Sequence, residues 1–189
     1  MSYVYFPGCK YTELSPEISA KIKDYFREKL GMRIAGCCRT NHSLLTEQDT
    51  ALVVCPTCLS NLKDTAPQAK IQSVWELLAE DDQFPWPDYK GREITVQDCK
   101  DTCNNRKLQD GVRKILGRMN VNIVELDKSF EKADYFCNVS PQNTEAKIKE
   151  DCQSYTTDTV VCYCTGCFNA LKIGEVNGLH LMNLIMGED

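Results

Sequence analysis

The chain of 189 residues has no apolar run approaching the ~18 residues of a membrane helix. Its opening, Met-Ser-Tyr-Val-Tyr-Phe-Pro-Gly-Cys, is too short and too poorly charged for a signal peptide. No membrane span is expected, and a soluble, cytoplasmic protein is. Positive charge is not in excess either. Lys plus Arg total 22 against 27 Asp plus Glu, a formal charge of -5, so the electrostatic footprint of a nucleic-acid or anionic-membrane binder is missing. There are only two histidines, no Ser, His and Asp arranged as a hydrolytic triad, and no glycine-rich phosphate loop of the P-loop or dinucleotide type. Hydrolase and kinase chemistry are thereby set aside. At 42% apolar the chain is neither disordered nor fibrous, and it can build one core or two small ones.

What the sequence has in abundance is cysteine: 12 in 189 residues, below the ~8 to 10% of a short secreted disulfide scaffold. They are Cys9, Cys37, Cys38, Cys55, Cys58, Cys99, Cys103, Cys137, Cys152, Cys162, Cys164 and Cys167. A reducing compartment keeps such thiols unpaired unless a metal holds them. Cys55-Pro-Thr-Cys58 and Cys164-Thr-Gly-Cys167 are CxxC pairs, a spacing that lets both sulfurs of one turn face one ion. Each pair follows a β-rich run and precedes a helical pattern, which places it at a strand C-terminal end, where open α/β sheets put their ligands.

The chain also repeats itself. Cys9-Lys10-Tyr11-Thr12 recurs as Cys99-Lys100-Asp101-Thr102, and the apolar stripe Ile18, Ile22, Tyr25, Phe26 as Leu108, Val112, Ile115, Leu116, both at an offset of 90. The two CxxC segments correspond at an offset of 109. In the first copy, strands are expected at 4–6, 32–34 and 51–54. A helix opens at Ser15-Pro16 and ends near Gly31, and 71–79 is a short helix or a strand running into one. In the second, strands are expected at 94–97, 122–126 and 159–161 and helices at 106–120 and 179–186. Alternating strands and helices predict an α/β fold of two pseudo-symmetric halves, each a small, mostly parallel sheet flanked by helices. The expected division is a first cysteine-rich domain at 1–80, a linker at 81–90 packed by Phe84 and Trp86, and a second at 91–189.

Tyr5-Phe6-Pro7-Gly8-Cys9, Gly36-Cys37-Cys38 and Cys55-Pro56-Thr57-Cys58, followed by Gln97-Asp98-Cys99 and Cys164-Thr-Gly-Cys167, resemble the cysteine-rich CCG-domain family. That family includes the cysteine-rich subunit of heterodisulfide reductase, lactate-utilisation protein A and the iron-sulfur subunit of glycolate oxidase. The resemblance spans almost the whole chain and implies two α/β domains whose cysteines hold iron-sulfur clusters. At the first site it implies a [4Fe-4S] cluster, in the best-known members a noncubane one bound by five cysteines, here Cys9, Cys37, Cys38, Cys55 and Cys58. At the second it implies Cys99, Cys137, Cys164 and Cys167. There the sequence departs from the pattern, because Cys137 is followed by Asn138 and the Cys-Cys pair is reduced to one cysteine. Four ligands suit a cubane [4Fe-4S] cluster or a four-cysteine zinc site, or the site stays empty.

The function so implied is an iron-sulfur subunit that relays electrons to, or reduces, a thiol or disulfide substrate. The alternative is a zinc-binding or dithiol accessory module of a larger oxidoreductase. With no nicotinamide or flavin loop in the sequence, electrons would come from a partner protein. Lys10, Arg39 and Lys100, each beside a cysteine, would lower thiol pKa and raise a cluster's potential, or are solvated surface charges. His42, four residues after Cys38, lies in a polar loop that could approach the first site. His180 interrupts an apolar helical stripe and reads as a half-buried packing residue. Cys103, Cys152 and Cys162 have no place in the motif, although Cys103 or Cys162 could complete the second site.

Overall fold

The computed structural model describes residues 2–137 and 144–188. It divides into two compact units, Met1–Val74 and Trp75–Asp189.

The first unit runs β1 (Ser2–Phe6), α1 (Cys9–Leu14), α2 (Pro16–Glu28), β2 (Arg33–Ile34), α3 (Cys38–Asn41), β3 (Asp49–Val53), α4 (Pro56–Thr65) and β4 (Lys70–Ser73). All four strands are parallel, in the order β2-β1-β3-β4. A parallel sheet covered on both faces needs strands that are apolar throughout. β3 is buried at every residue, and Val4, Tyr5 and Phe6 of β1 are buried too. Ile18, Ile22 and Phe26 form the buried stripe of α2, with the Phe26 ring 4.5 Å from that of Tyr5. Pro16 stands in the first turn of α2, where its missing N–H costs nothing.

The second unit begins within α5 (Val74–Leu78), the helix that follows β4, and continues with β5 (Glu93–Gln97), α6 (Arg106–Arg118), β6 (Asn122–Val124), α7 (Glu145–Cys152), β7 (Val160–Cys162), α8 (Thr165–Ile173), β8 (Gly178–His180) and α9 (Leu181–Ile185). Its strands are again parallel, in the order β6-β5-β7-β8. The two sheets therefore share one topology, and the fold is α/β with two matching halves. The offset of 90 holds in register: α2 and α6 each have 13 residues, and Tyr5 pairs with Ile34 as Thr95 pairs with Val124.

The structure differs from the sequence reading at several places. The segment expected as one helix at 179–186 is split, because Leu179 and His180 extend the sheet beside Val161 and Cys162 before α9 starts. Over so few residues an apolar run fits either period, and pairing with β7 decides. The helix expected to reach 120 ends at Arg118, with Asn120 in the left-handed region at φ 54. β2 and β6 are shorter than expected, and α7, capped by the Thr144 side chain, adds a helix where periodicity gives none. Residues 81–90 belong to the second unit. The Phe84 and Trp86 rings lie 4.4 Å apart, and the Tyr89 hydroxyl donates to the Leu184 carbonyl at 2.8 Å. Gly111 of α6 permits a close approach to the chain at α5, since a Cβ on it would lie 3.0 Å from the Trp75 carbonyl oxygen.

Candidate metal centre

In the first unit the cysteines arrive at the C-terminal ends of three adjacent parallel strands. Cys9 opens α1 after β1, Cys37 and Cys38 start α3 after β2, and Cys55 caps α4 after β3 with Cys58 one turn on. Gly8 has φ 77, a conformation that turns the chain from β1 into α1 and that side chains rarely adopt. A Cβ on Gly8 would lie 3.9 Å from Cys55 Cβ, so the first cysteine turn packs against the last. Cys9 and Cys37 are within side-chain hydrogen-bonding reach of each other, Cys37 of Cys38, Cys38 of Cys58, and Cys58 of Cys55. Asn61 Nδ2 donates to Cys38 Sγ at 3.6 Å.

Cys9 is exposed, Cys37 and Cys55 are half-buried, and Cys38 and Cys58 are buried, so the five form a string with one end open to solvent. Cys37 is held below the ordinary thiol pKa, first by the Arg39 backbone N–H. Burial and the hydrogen bond with Cys37 push Cys9 up, and the hydrogen bond to Cys55 pushes Cys58 up. A cavity of about 250 Å³ adjoins the open end, lined by Pro7, Cys9, Thr12, Lys23, Ala35 and Cys37 among others.

In the second unit the cysteines are sealed. Cys99, Cys137, Cys164 and Cys167 are 1%, 6%, 4% and 1% exposed. The sulfurs of Cys99, Cys164 and Cys167 all lie within 4.8 Å of one another, the one such group among the described residues, and could hold a metal ion. Sulfurs bound to one tetrahedral zinc at ~2.3 Å stand about 3.8 Å apart, so little movement would be needed. Cys137 is within hydrogen-bonding reach of Cys167. It lies where a Cβ on Gly166 would meet its own Cβ at 3.1 Å, so the glycine of the CxxC turn leaves it room. Cys164 is held well below the ordinary thiol pKa by hydrogen bonds from Cys167 and Cys99, with the backbone N–H groups of Cys167 and Gly166 at the start of α8 adding to them. Its partners Cys99 and Cys167 are pushed up.

A polar cluster beneath this second site is centred on Asp98, whose partners no motif in the sequence marks. Asp98, 1% exposed, accepts from Arg113 through both nitrogens (2.6 and 2.8 Å), from the Tyr163 hydroxyl (2.7 Å) and from the Phe130 N–H (2.8 Å). Arg113 also grips Glu125, at 2.7 and 2.9 Å. Thr102 donates to the Cys99 carbonyl at 2.8 Å and lies 2.9 Å from the Tyr163 hydroxyl. Asp98 precedes Cys99 and Tyr163 precedes Cys164, so one buried carboxylate ties the two cysteine turns together. An Asp and an Arg 15 residues apart give no periodic signal that would have revealed the pair.

The remaining candidates have other partners in the structure. His42 Nδ1 is 3.1 Å from the Arg39 carbonyl oxygen, a bond inside its own turn. His180 is fully buried rather than half-buried, and its Nδ1 accepts from the Met182 N–H at 3.2 Å, capping α9. Lys10 pairs with Glu13 at 3.0 Å on the surface, and Lys100 lies 6.0 Å from the Tyr135 ring centre. Cys162 is buried with its sulfur 3.7 Å from the carbonyls of Cys164 and Leu179, Cys152 is buried with its thiol pushed up to about 11 by desolvation, and Cys103 is half-exposed. Among the described residues no helix is long and apolar enough to cross a membrane.

No family model matches the chain, and no curated protein does. Among solved structures, glutamate racemase isoform RacE1 from Bacillus anthracis is 12% identical, with 98% of this chain and 78% of that one covered at a TM-score of 0.40. An aspartate racemase homologue from Pyrococcus horikoshii is 13% identical over 98% and 96% of the two chains at 0.39. A periplasmic ribose ABC transporter from Conexibacter woesei is 8% identical over 93% and 68% at 0.30. Likenesses this distant carry no argument for an activity.

Proposed function

We propose that the protein is an iron-sulfur redox component similar to the cysteine-rich part of heterodisulfide reductase in the CCG-domain family, relaying electrons to or reducing a thiol or disulfide substrate at its first unit. The observation that carries this reading is the convergence of Cys9, Cys37, Cys38, Cys55 and Cys58 from three neighbouring strand ends, with one end of the set open to solvent. Soft thiolates are the donors that hold iron-sulfur clusters. Among the described residues no three of these five sulfurs fall within the tight spacing of the second-unit triple, a spread that suits a polynuclear cluster better than a single ion. A bound [4Fe-4S] group would supply the one-electron chemistry. The chain's own part is to present thiolates, stabilise them with backbone N–H groups such as that of Arg39, and leave Cys9 and Cys37 accessible. Electrons would come from a redox partner protein in a reducing compartment, the cytoplasm.

For the second unit a structural zinc is the reading its geometry favours over a second cluster. Four cysteines at most 6% exposed, three of them closely spaced, match the closed, four-coordinate pattern of structural zinc. The test is iron, acid-labile sulfide and zinc per chain on anaerobically purified protein, repeated on Cys37→Ser and Cys164→Ser. Roughly four iron and four sulfide are expected, lost in Cys37→Ser, with about one zinc lost in Cys164→Ser. Zinc without sulfide in the first unit, or no metal after anaerobic reconstitution, would leave the accessory-module reading instead.

A further inference from the structure

The two units differ around one pair of equivalent cations. Lys23 is the eighth residue of α2, and Arg113 the eighth of α6. Arg113 is gripped by Asp98 and Glu125. At the offset of 90 those carboxylates become Gly8 and Ala35, and the ladder register fixes the second equivalence, since Ala35 follows Ile34 as Glu125 follows Val124. The first unit has thus kept the cation and lost both acids. Half-buried Lys23 lines the 250 Å³ cavity beside Cys9 and Cys37, together with Thr12, the counterpart of Thr102. Among the described residues no carboxylate pairs with it. The walls are otherwise apolar, from Pro7, Ile34 and Ala35.

We propose that the first unit binds a small carboxylate-bearing thiol or disulfide in this cavity, its carboxylate on Lys23 where the second unit keeps Asp98 and Glu125, and its sulfur toward Cys9 and Cys37. The thiol or disulfide part rests on the redox reading above, whereas the anion subsite rests on the repeat alone. A space below the ~300 to 1,000 Å³ of ordinary ligand pockets restricts the ligand to a small molecule. Thr12 Oγ1, 2.8 Å from Ser19 Oγ, adds a hydroxyl to the polar corner. Ala35 acts here by what it omits: an acid at this lining position, where the second unit has Glu125, would fill the subsite from within.

The experiment is acetylation footprinting of the full chain as purified, read lysine by lysine by mass spectrometry. The probes are 3,3'-dithiodipropionate and the neutral bis(2-hydroxyethyl) disulfide. The dicarboxylate is expected to slow acetylation of Lys23 several-fold and leave Lys10, outside the cavity, unchanged, while the neutral disulfide protects neither. By calorimetry, binding of the dicarboxylate should weaken roughly tenfold in Lys23→Gln and in Ala35→Glu, which leaves the lysine in place but supplies it with an internal acid. Equal acetylation of Lys23 with and without the dicarboxylate, or unchanged affinity in Ala35→Glu, would overturn the proposal. Neither readout depends on a cluster, so absence of iron and sulfide would remove the redox reading and leave the anion subsite standing or falling by itself.

Discussion

The two units share strand order, register and the 13-residue length of α2 and α6, yet finish their cysteine sites in opposite ways. The first has five cysteines strung from buried to exposed, beside a cavity with an uncompensated lysine. The second has four cysteines sealed from solvent, over a cluster in which Asp98 and Glu125 pair the arginine internally and Tyr163 donates to Asp98. Sites that only hold a fold together are closed, and sites that act on a substrate keep an open position. On the proposed reading, one scaffold separates a substrate site from a structural one by where it puts its acids. The second unit sets its acidic residues against its own cation, and the first leaves the equivalent Lys23 without a carboxylate partner among the described residues.

The largest effect is expected from Asp98→Asn. Arg113 is 12% exposed at its side chain and Asp98 is fully covered, so removing the carboxylate leaves a buried guanidinium with Glu125 alone. Breaking a buried pair in this way costs about 3 kcal/mol or more, and the Tyr163 and Phe130 donors lose a charged acceptor as well. Lys23→Gln in the first unit, where no pair exists to break, should change stability by less than about 0.5 kcal/mol. Urea denaturation of both variants checks the contrast, and equal costs would abolish it.

A second contrast is in acid. Burial holds the His180 imidazole down at about 4, and its Nδ1 must stay unprotonated to accept the Met182 N–H. The unfolded chain takes up this proton near the ordinary value of ~6.5. Between those values the unfolded state binds more protons, so stability falls as pH drops through that window, by up to roughly 3 kcal/mol. His180→Asn retains an oxygen acceptor for the cap without the titration. It should flatten the acid limb of the stability curve between about pH 6.5 and 4. An unaltered limb would mean that another group controls it.

The parts of this design that recur were legible in the sequence. The 90-residue offset, the apolar stripes of α2 and α6 and the strands leading to Cys9, Cys55 and Cys99 all follow from periodicity and punctuation. What stayed hidden depends on partners brought together only by folding. Arg113 carries no signal in the sequence, and its place is set only when Asp98 and Glu125 arrive from the ends of β5 and β6. His180 reads as a half-buried residue interrupting a helical stripe until β8 pairs with β7 and turns it into a buried cap. The cavity at Lys23 depends on the small side chain of Ala35, and a missing acid carries no pattern of its own until the second copy shows what could have stood there.

The smallest contrast concerns the start of the third strand of each sheet. Asp49 opens β3, where it accepts from the Thr46 N–H at 2.8 Å, from the Thr46 hydroxyl at 2.9 Å and from Arg33. The Thr46 N–H above all, with Arg33 assisting, holds its carboxyl at about 2. The position matching it in the second sheet is Thr157, whose hydroxyl donates to the Thr159 carbonyl at 2.7 Å and lies 2.8 Å from Thr95 Oγ1, a network that does not titrate. Because the folded value is depressed below the unfolded one of ~3.9, the stability Asp49 contributes is present above about pH 4 and lost as pH falls toward 2. Acidification should therefore loosen the second unit first, through His180, and the first unit only later, through Asp49. Hydrogen exchange read peptide by peptide across that pH range gives the order directly. In Asp49→Asn the later loss around β3 should no longer depend on pH, and loosening of β3 before β8 would reverse the assignment of the two acid-sensitive groups to their units.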